Sequence, residues 1–295
     1  MQTKHLDDFK EAGRILSEVR REVLKKIGPG VKILDIANFV DQQIAAKGAK
    51  PAFPVNISID DITAHYTPTF NDERKIEKGE LVKVDIGVRV NGCVADSAIT
   101  YCSESNPIID VNKEVVEEAL KIVKPGLKVC EIGNFVEDFL KRRGFGVIVN
   151  LTGHGIGYNE FHREPTILNV KNSNQYELKK DEVIAIEPFL CEGGGYIKES
   201  GIVEIYRYLQ DKPIRSNDGR AILKHIKENF EFFPFAKRWL CEKFSPVKVA
   251  LALRELEKVD AIESYPVLRE QSGKKVSQFE YTIIVQDPPI VTTPL

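Results

Sequence analysis

Apolar residues recur at helical spacing through LDDFKEAGRILSEVRREVLKKI near the start of the chain, with charges between them, so this stretch predicts an amphipathic helix rather than a signal peptide. Two later stretches carry a related pattern and match each other. PGVKILDIANFVDQQIAAKG (29–48) aligns without a gap on PGLKVCEIGNFVEDFLKRRG (125–144), with 8 identities in 20 positions. Each copy predicts a Pro-Gly turn, a helix with Ile, Phe and Val on one side, and a glycine C-cap. The match continues past the helices. KGELVKVDIG and KDEVIAIEPF both read as a lysine-containing turn, an acid and a short apolar strand, which aligns Asp85 with Glu187, and the ungapped helix match, carried forward, sets His65 within one residue of His162. A duplicated α/β half predicts a pseudo-twofold fold in which acids at matching strand positions converge near the axis. The period of the repeat, and the lack of a glycine-rich phosphate loop after a first strand, argue against a Rossmann or TIM-barrel organisation.

Strict alternation marks LVKVDIGVRVNGCVADSAIT as a β-hairpin, because Asn91-Gly92 between β-branched runs is the strongest short-range hairpin signal. A two-residue loop pairs Val90 with Cys93, so Asp85 falls opposite Ala98 and Asp96 opposite Gly87. Both aspartates then share one face as diagonal neighbours, about 7–8 Å apart at the backbone. That separation lets their carboxylates grip ions about 3.5–4 Å apart. The plain alternative is a solvated strand face with two acids. It fits less well, because Asp is depleted from strand interiors, the other face (Val82, Val84, Ile86, Val88) is apolar, and like charges this close call for a cation or a shared proton.

Between Tyr206 and Gln271 the pattern turns helical, in DGRAILKHIKENFEFFPFAKRWL and SPVKVALALRELEKV, with Asp218 and Ser245 as expected N-caps. SYPVLRE follows as a short extended piece, and the strand pattern resumes at SQFEYTIIVQ, which places Glu280 between Phe279 and Tyr281. Residues 206–271 are therefore expected to form an inserted helical subdomain, and 1–205 with 272–295 the main domain. The insert carries 13 basic and 10 acidic residues, weak support for a nucleic-acid role, and its aromatics, Trp239 included, read as a small core.

Composition narrows the class of function. The 295 residues include 42 basic and 44 acidic ones, a balance that argues against coating nucleic acid or an anionic membrane. No apolar run approaches the length of about 18 residues that a membrane span needs, so a cytoplasmic protein is expected. The 5 cysteines lack CxxC spacing and are expected to be free buried thiols. Histidines are equally few, which makes His154 and His162 in LTGHGIGYNEFH informative: glycines allow close approach, and imidazole is the commonest nitrogen ligand of transition metals. Glu187 ends the strand VIAIE, before Pro188. Asp85, Asp96, His154, Glu187 and Glu280 together make an oxygen-rich donor set suited to two divalent ions, without the thiolates of a structural zinc site.

These residues, in this order and spacing, resemble the methionine aminopeptidases, members of the pita-bread peptidases that also include prolidase and aminopeptidase P. The resemblance covers essentially the whole chain. The insertion between Glu187 and Glu280, with AFPVNISID, TAHYTP, GHGIGYNEFH and QFEYTI, is similar to the type II subfamily, and the absence of a long charged N-terminal extension resembles its short archaeal form. The implied fold is an α/β pita-bread fold, a pseudo-twofold antiparallel sheet covered by helices, with a small winged-helix-like insertion. The implied cofactor is a pair of divalent ions, Co, Mn, Fe, Ni or Zn, with Asp85 chelating one, Asp96 and Glu280 bridging both, and His154 and Glu187 completing the other.

The same resemblance implies an activated water as nucleophile, with Glu187 handling its proton, His162 at the scissile amide and His65 near the substrate as a second catalytic histidine. Phe53 and Phe161 match the methionine pocket, although ordinary core packing explains any single Phe as well. The implied substrate is the N-terminal peptide of nascent polypeptides whose second residue is small, cleaved by a monomer for which ribosome docking is compatible with catalysis. Neither a membrane nor a specific nucleic acid is an expected partner. An X-Pro peptidase is the nearest rival. Those relatives usually carry a large domain ahead of the metal-binding half, whereas here the duplicated unit begins almost at once. A non-catalytic pita-bread module that binds RNA or protein is the more distant rival, since such proteins lose ligands that this chain retains.

Overall fold

The computed structural model describes residues 5–192 and 195–295, so the first four residues and two within the first expected domain lie outside the description. Helix α1 (Leu6–Leu24) buries Phe9, Leu16 and Val23 along one side, and α2 (Ile33–Ala46) buries Ile33, Ile36, Val40 and Ile44. Strands β1 (Lys50–Ile59) and β2 (Ile62–Ala64) precede the hairpin of β3 (Val82–Val90) and β4 (Cys93–Tyr101). The second half opens with α3 (Pro107–Ile122) and α4 (Val129–Arg143) and continues through β5 (Gly146–Val147), β6 (Thr152–Gly157), β7 (Glu160–Leu168), β8 (Val183–Ile186) and β9 (Phe189–Cys191). Next come β10 (Ile197–Tyr208), α5 (Asn217–Phe230), β11 (Phe235–Ala236), α6 (Lys237–Cys241), α7 (Pro246–Lys258) and β12 (Ile262–Glu270). The chain closes with β13 (Val276–Gln278), β14 (Tyr281–Ile284) and β15 (Ile290–Val291).

The two copies of the repeat fold alike. Lys32 and Lys128 sit at matching N-caps with ψ of 136° in both, and the turn glycines Gly30 and Gly126 have φ of 86° and 85°. That left-handed conformation favours glycine. The turn is held the same way in each half: Gly30 N–H donates to the Ile76 carbonyl and Gly126 N–H to the Leu178 carbonyl, both at 2.8 Å. From Ile76 to Asp85 and from Leu178 to Glu187 the chain takes the same number of residues, so matching anchors deliver the two acids.

Strand order is β1-β3-β4 in one sheet and β15-β14-β8-β6-β7 in another, with antiparallel pairing throughout. The sheets are tied where β4 meets β14. Asp96 N–H donates to Thr282 Oγ1 and that hydroxyl donates to the Asp96 carbonyl, both at 2.8 Å, while Glu280 N–H donates to the Ala98 carbonyl at 3.0 Å. The main apolar core lies between these strands and α1 to α4. A second core, with Tyr206, Ile222, Ile226, Phe235, Leu240 and Leu256, belongs to the residues around α5, α6 and α7.

Four details differ from the sequence reading. The cap of α5 is Ser216, whose hydroxyl accepts from Gly219 N–H, not Asp218, which lies in the first turn and pairs with Lys248 at 3.0 Å. The helical run is broken at Glu231, with φ of 58°, and the insert also contains β11 and the long β10–β12 pairing. Glu280 does not lie inside a strand: β13 ends at Gln278 and β14 begins at Tyr281. All five cysteines are free, but Cys102 is only half-buried.

Candidate metal centre

The Asn91-Gly92 turn has φ of 48° and 84°, the pair of positive values a two-residue type I′ turn needs. It sets the register Val90↔Cys93, Gly87↔Asp96 and Asp85↔Ala98, so both aspartates face the same side. Opposite them, His154 on β6 pairs with Ala185, and Glu187 and Glu280 flank β8 and β14 just beyond the last paired residues. The five side chains line one cavity of about 250 Å³, which also takes in Phe53, His65, Phe161 and His162.

Ligand atoms of Asp85, Asp96 and Glu280 lie within 4.8 Å of one another, as do those of His154, Glu187 and Glu280, and those of Asp96, His154 and His162. Glu280 is common to the first two groups, Asp96 to the first and third, and His154 to the second and third. The His154 Nε2 stands 3.8 Å from Asp96 Oδ2 and 3.7 Å from Glu187 Oε1. Its Nδ1 is 3.1 Å from the Gly155 carbonyl, a partner that only accepts, so the proton belongs on Nδ1 and the Nε2 lone pair faces the acids.

Four carboxylates in one buried space repel each other. Burial pushes Asp85 up to about 7, against the downward pull of hydrogen bonds with Asp96 and Gln278. Asp96, Glu187 and Glu280 are also raised well above the usual range, first by burial and then by one another's charge. Burial lowers His154 to about 4. Among the described residues, Asp85 Oδ1, Asp96 Oδ1 and Glu280 Oε1 are buried without a hydrogen-bond partner. Unpaired buried anionic oxygens are costly, and divalent cations remove the repulsion and the unmet bonding at once. The oxygen-rich set with one imidazole fits such ions.

His162 and His65 stand beside the acids. The His162 ring centroid is 4.0 Å from that of His154, and desolvation, then the neighbouring His154, His65 and Arg207, keep His162 well below its ordinary pKa. It is accessible through the cavity yet surrounded by protein and other bases. His65 has φ of 62° and its Nδ1 lies 3.3 Å from the Pro266 carbonyl, which leaves Nε2 as an acceptor. The Phe53 and Phe161 rings pack at 5.0 Å as an apolar wall.

The sequence reading missed several neighbours. Gln278 donates to Glu187 Oε2 at 3.4 Å. It stands two residues before Glu280, a spacing that offered a signal. Asn56, the register partner of Asp85, is buried with its Oδ1 unpaired, and Tyr265 packs edge-on against His65 at 5.6 Å. Nothing local in the sequence links Tyr265 to a histidine two hundred residues earlier.

A family description of metallopeptidase family M24 matches residues 7–215, most of the chain, and the chain belongs to that family. Its divalent-metal chemistry agrees with the clustered acids. Among curated relatives, a methionine aminopeptidase from Thermococcus onnurineus is 43% identical over 94% of this chain and 95% of its own length. Among solved structures, a thermophilic Arx1 superposes with a TM-score of 0.84 at 18% identity, covering 98% of this chain and 90% of that one. A methionine aminopeptidase from Thermotoga maritima gives 0.71 at 22% identity, covering 99% and 97%. At these identities the structural likeness speaks for the fold alone, the pita-bread fold. Among the described residues no helix is long and apolar enough to cross a membrane.

Proposed function

We infer that the chain removes the N-terminal methionine from polypeptides by hydrolysing the first peptide bond, and that Asp85, Asp96, His154, Glu187 and Glu280 hold two divalent ions for this purpose. The observation that carries the two-ion reading is the overlap of neighbouring ligand groups, with Asp96, His154 and Glu280 each belonging to two of them. The near full-length identity to a methionine aminopeptidase supports the substrate. When bound, such ions polarise the scissile carbonyl and bring the pKa of a bound water toward about 7 in favourable cases.

The protein groups supply position and proton handling. Glu187 Oε2, steadied by Gln278, takes the proton of the attacking water and passes it toward the leaving amine. His162, kept neutral by its surroundings, donates a hydrogen bond to the carbonyl oxygen as charge develops there, without adding a full charge to the site. His65 faces the same cavity with its Nε2 free to accept from the substrate backbone. Phe53 and Phe161 receive the methionine side chain. A pocket discriminates by only about 1–3 kcal/mol per methylene, so its shape must exclude bulkier residues.

The second residue of the substrate faces the ligands, and a small one fits there. A monomer suffices, because one chain supplies every named group, and residues 206–271 form an inserted subdomain closing one side of the cavity through Pro234 and Tyr265. Nascent chains in the cytoplasm are the natural substrates of such an enzyme, with or without ribosome docking. The deciding assay compares metal-supplemented protein on Met-Ala-Ser, Ala-Pro and X-Pro peptides. Release of methionine from the first alone supports the reading, and preferential cleavage of X-Pro bonds refutes it in favour of a prolidase-like enzyme.

A further inference from the structure

We propose that His5, Asp8 and Cys93 form a separate cation site, of the thiolate-containing kind that takes Zn²⁺ or Co²⁺. His5 is the N-cap of α1, Asp8 lies in that helix's first turn, and Cys93 is the first residue of β4. A ring nitrogen of His5, a carboxylate oxygen of Asp8 and the Cys93 sulfur lie within 4.8 Å of one another, and among the described residues no other cysteine belongs to such a group. Around a tetrahedral zinc with bonds of about 2.0–2.3 Å, ligand atoms stand about 3.3–3.8 Å apart. The His5 Nδ1 to Asp8 Oδ2 distance is already 3.8 Å.

The surroundings orient these groups as outer partners orient metal ligands. Asn91 Nδ2 donates to Asp8 Oδ1 at 2.9 Å, which leaves Oδ2 for the cation. Tyr158 stacks on the His5 ring at 4.4 Å and 17°. Cys93 is fully buried and its sulfur donates to the His5 carbonyl at 3.7 Å. Burial, then the charge of Asp8, pushes this thiol up to about 12, so without a cation it keeps its proton. A coordinated thiol loses that proton outright; here it passes to solvent as the sulfur–metal bond forms. His5 and Asp8 are 24% and 32% exposed, so the ion can enter and water can fill a fourth position.

Occupancy would clip three segments together. α1 would be joined to the Asn91-Gly92 turn and, through Tyr158, to the turn between β6 and β7 that leads into Phe161 and His162. Asn159 N–H already donates to the Gly92 carbonyl at 2.8 Å. Cys93 also packs in the apolar cluster that contains Phe53. The site therefore braces the back of the proposed methionine pocket without touching the catalytic acids.

Those acids and their histidines contain no sulfur, which makes the sites spectroscopically separable. The test titrates Co²⁺ into the metal-stripped full chain with a phosphine reductant, and reads the near-ultraviolet thiolate-to-cobalt charge-transfer band. The wild type should show the band, bind one more equivalent than Cys93→Ser, and lose the band when Zn²⁺ is added. Asp96→Ala should keep it. His5→Ala, at the surface, should lose it too, and covers the case in which the buried serine variant fails to fold. No band at saturating cobalt, or a band that survives in His5→Ala, overturns the proposal.

Discussion

Gly87 links the proposed metal ligands to the proposed substrate pocket, and an alanine there tests that link. The β1–β3 and β3–β4 registers place Phe53, Gly87 and Asp96 in one row across three strands. A methyl group on Gly87 would come within 2.3 Å of Phe53 Cε1, 2.5 Å of Cδ1 and 2.9 Å of Cζ. Strand β3 cannot give way, since Ile86 and Val88 on its other face are both 0% exposed in the main core. The Phe53 ring must move instead, and with Phe161 packed beside it the open direction is the cavity. Overpacking of this size costs about 1–3 kcal/mol, and room lost to two methylenes of the substrate amounts to about 1.6 kcal/mol. The second figure lowers kcat/KM for Met-Ala-Ser about 15-fold, whereas the first is a loss of folding stability. Because no ligand side chain changes, metal content should stay at the wild-type value, and a peptide with a smaller first residue should lose less activity than the methionine peptide. Undiminished kcat/KM would show that Phe53 is not a wall of the methionine pocket. Loss of metal would show that Gly87 serves ligand geometry instead.

Four further outcomes are expected. Asp96→Ala and Glu280→Ala should each abolish metal binding at the acid cluster and, with it, activity, because each removes a shared ligand and unbalances the remaining charges; turnover with stoichiometric metal at that cluster in either variant contradicts this. His162→Ala should lower kcat while the metal stays bound, and loss of metal would make His162 a ligand. Metal uptake should release protons near pH 7, because Asp85, raised to about 7, and its likewise raised neighbours must deprotonate first. Affinity should therefore fall as pH drops through about 7, and calorimetry in buffers of different ionisation enthalpy would expose a pH-independent site as a failure of this reasoning. Asp41→Ala should cost about 3–5 kcal/mol in a denaturant titration, because Asp41 Oδ2 accepts from Arg238 at 2.7 Å and Trp239 at 2.8 Å, and Arg238 is only 2% exposed; a change below about 1 kcal/mol would mean the insert docks by apolar packing alone.

Sequence legibility followed the reach of the interaction that sets each feature. The face shared by Asp85 and Asp96 was legible because a two-residue turn with positive φ at both positions fixes the register within the hairpin itself. The Asp85 and Glu187 correspondence was legible because the duplicated turn and helix leave matching identities in both copies. The α5 cap was misplaced because Ser216 and Asp218 are both good capping residues. The choice falls to the chain direction entering the helix, where Glu255 accepts from the backbone N–H of Arg215 at 2.8 Å and of Ser216 at 3.1 Å. Glu280 read as a strand residue because side-chain alternation in SQFEYTIIVQ continues unbroken. Its backbone departs from the ladder because its N–H is taken by Ala98, on the other sheet.

That departure explains how a symmetric repeat yields an asymmetric set of acids. In the first half, Asp85 and Asp96 are diagonal neighbours joined by a local turn. In the second, Ile186 pairs with Tyr281, so carrying the register one step further sets Glu280 directly opposite Glu187. No short turn could produce that pairing, because the whole insert lies between the two glutamates; it depends on β14 returning to β8 after residues 206–271. The bond from Glu280 N–H to Ala98, the register partner of Asp85, then brings the second pair of acids against the first. The duplication therefore accounts for one acid in each half, while Asp96 and Glu280 come from whichever strand lies beside it, a hairpin partner in one half and the returning chain in the other. Each of these two also belongs to two ligand groups, as does His154 on β6, so the shared ligands gather along the seam between the halves.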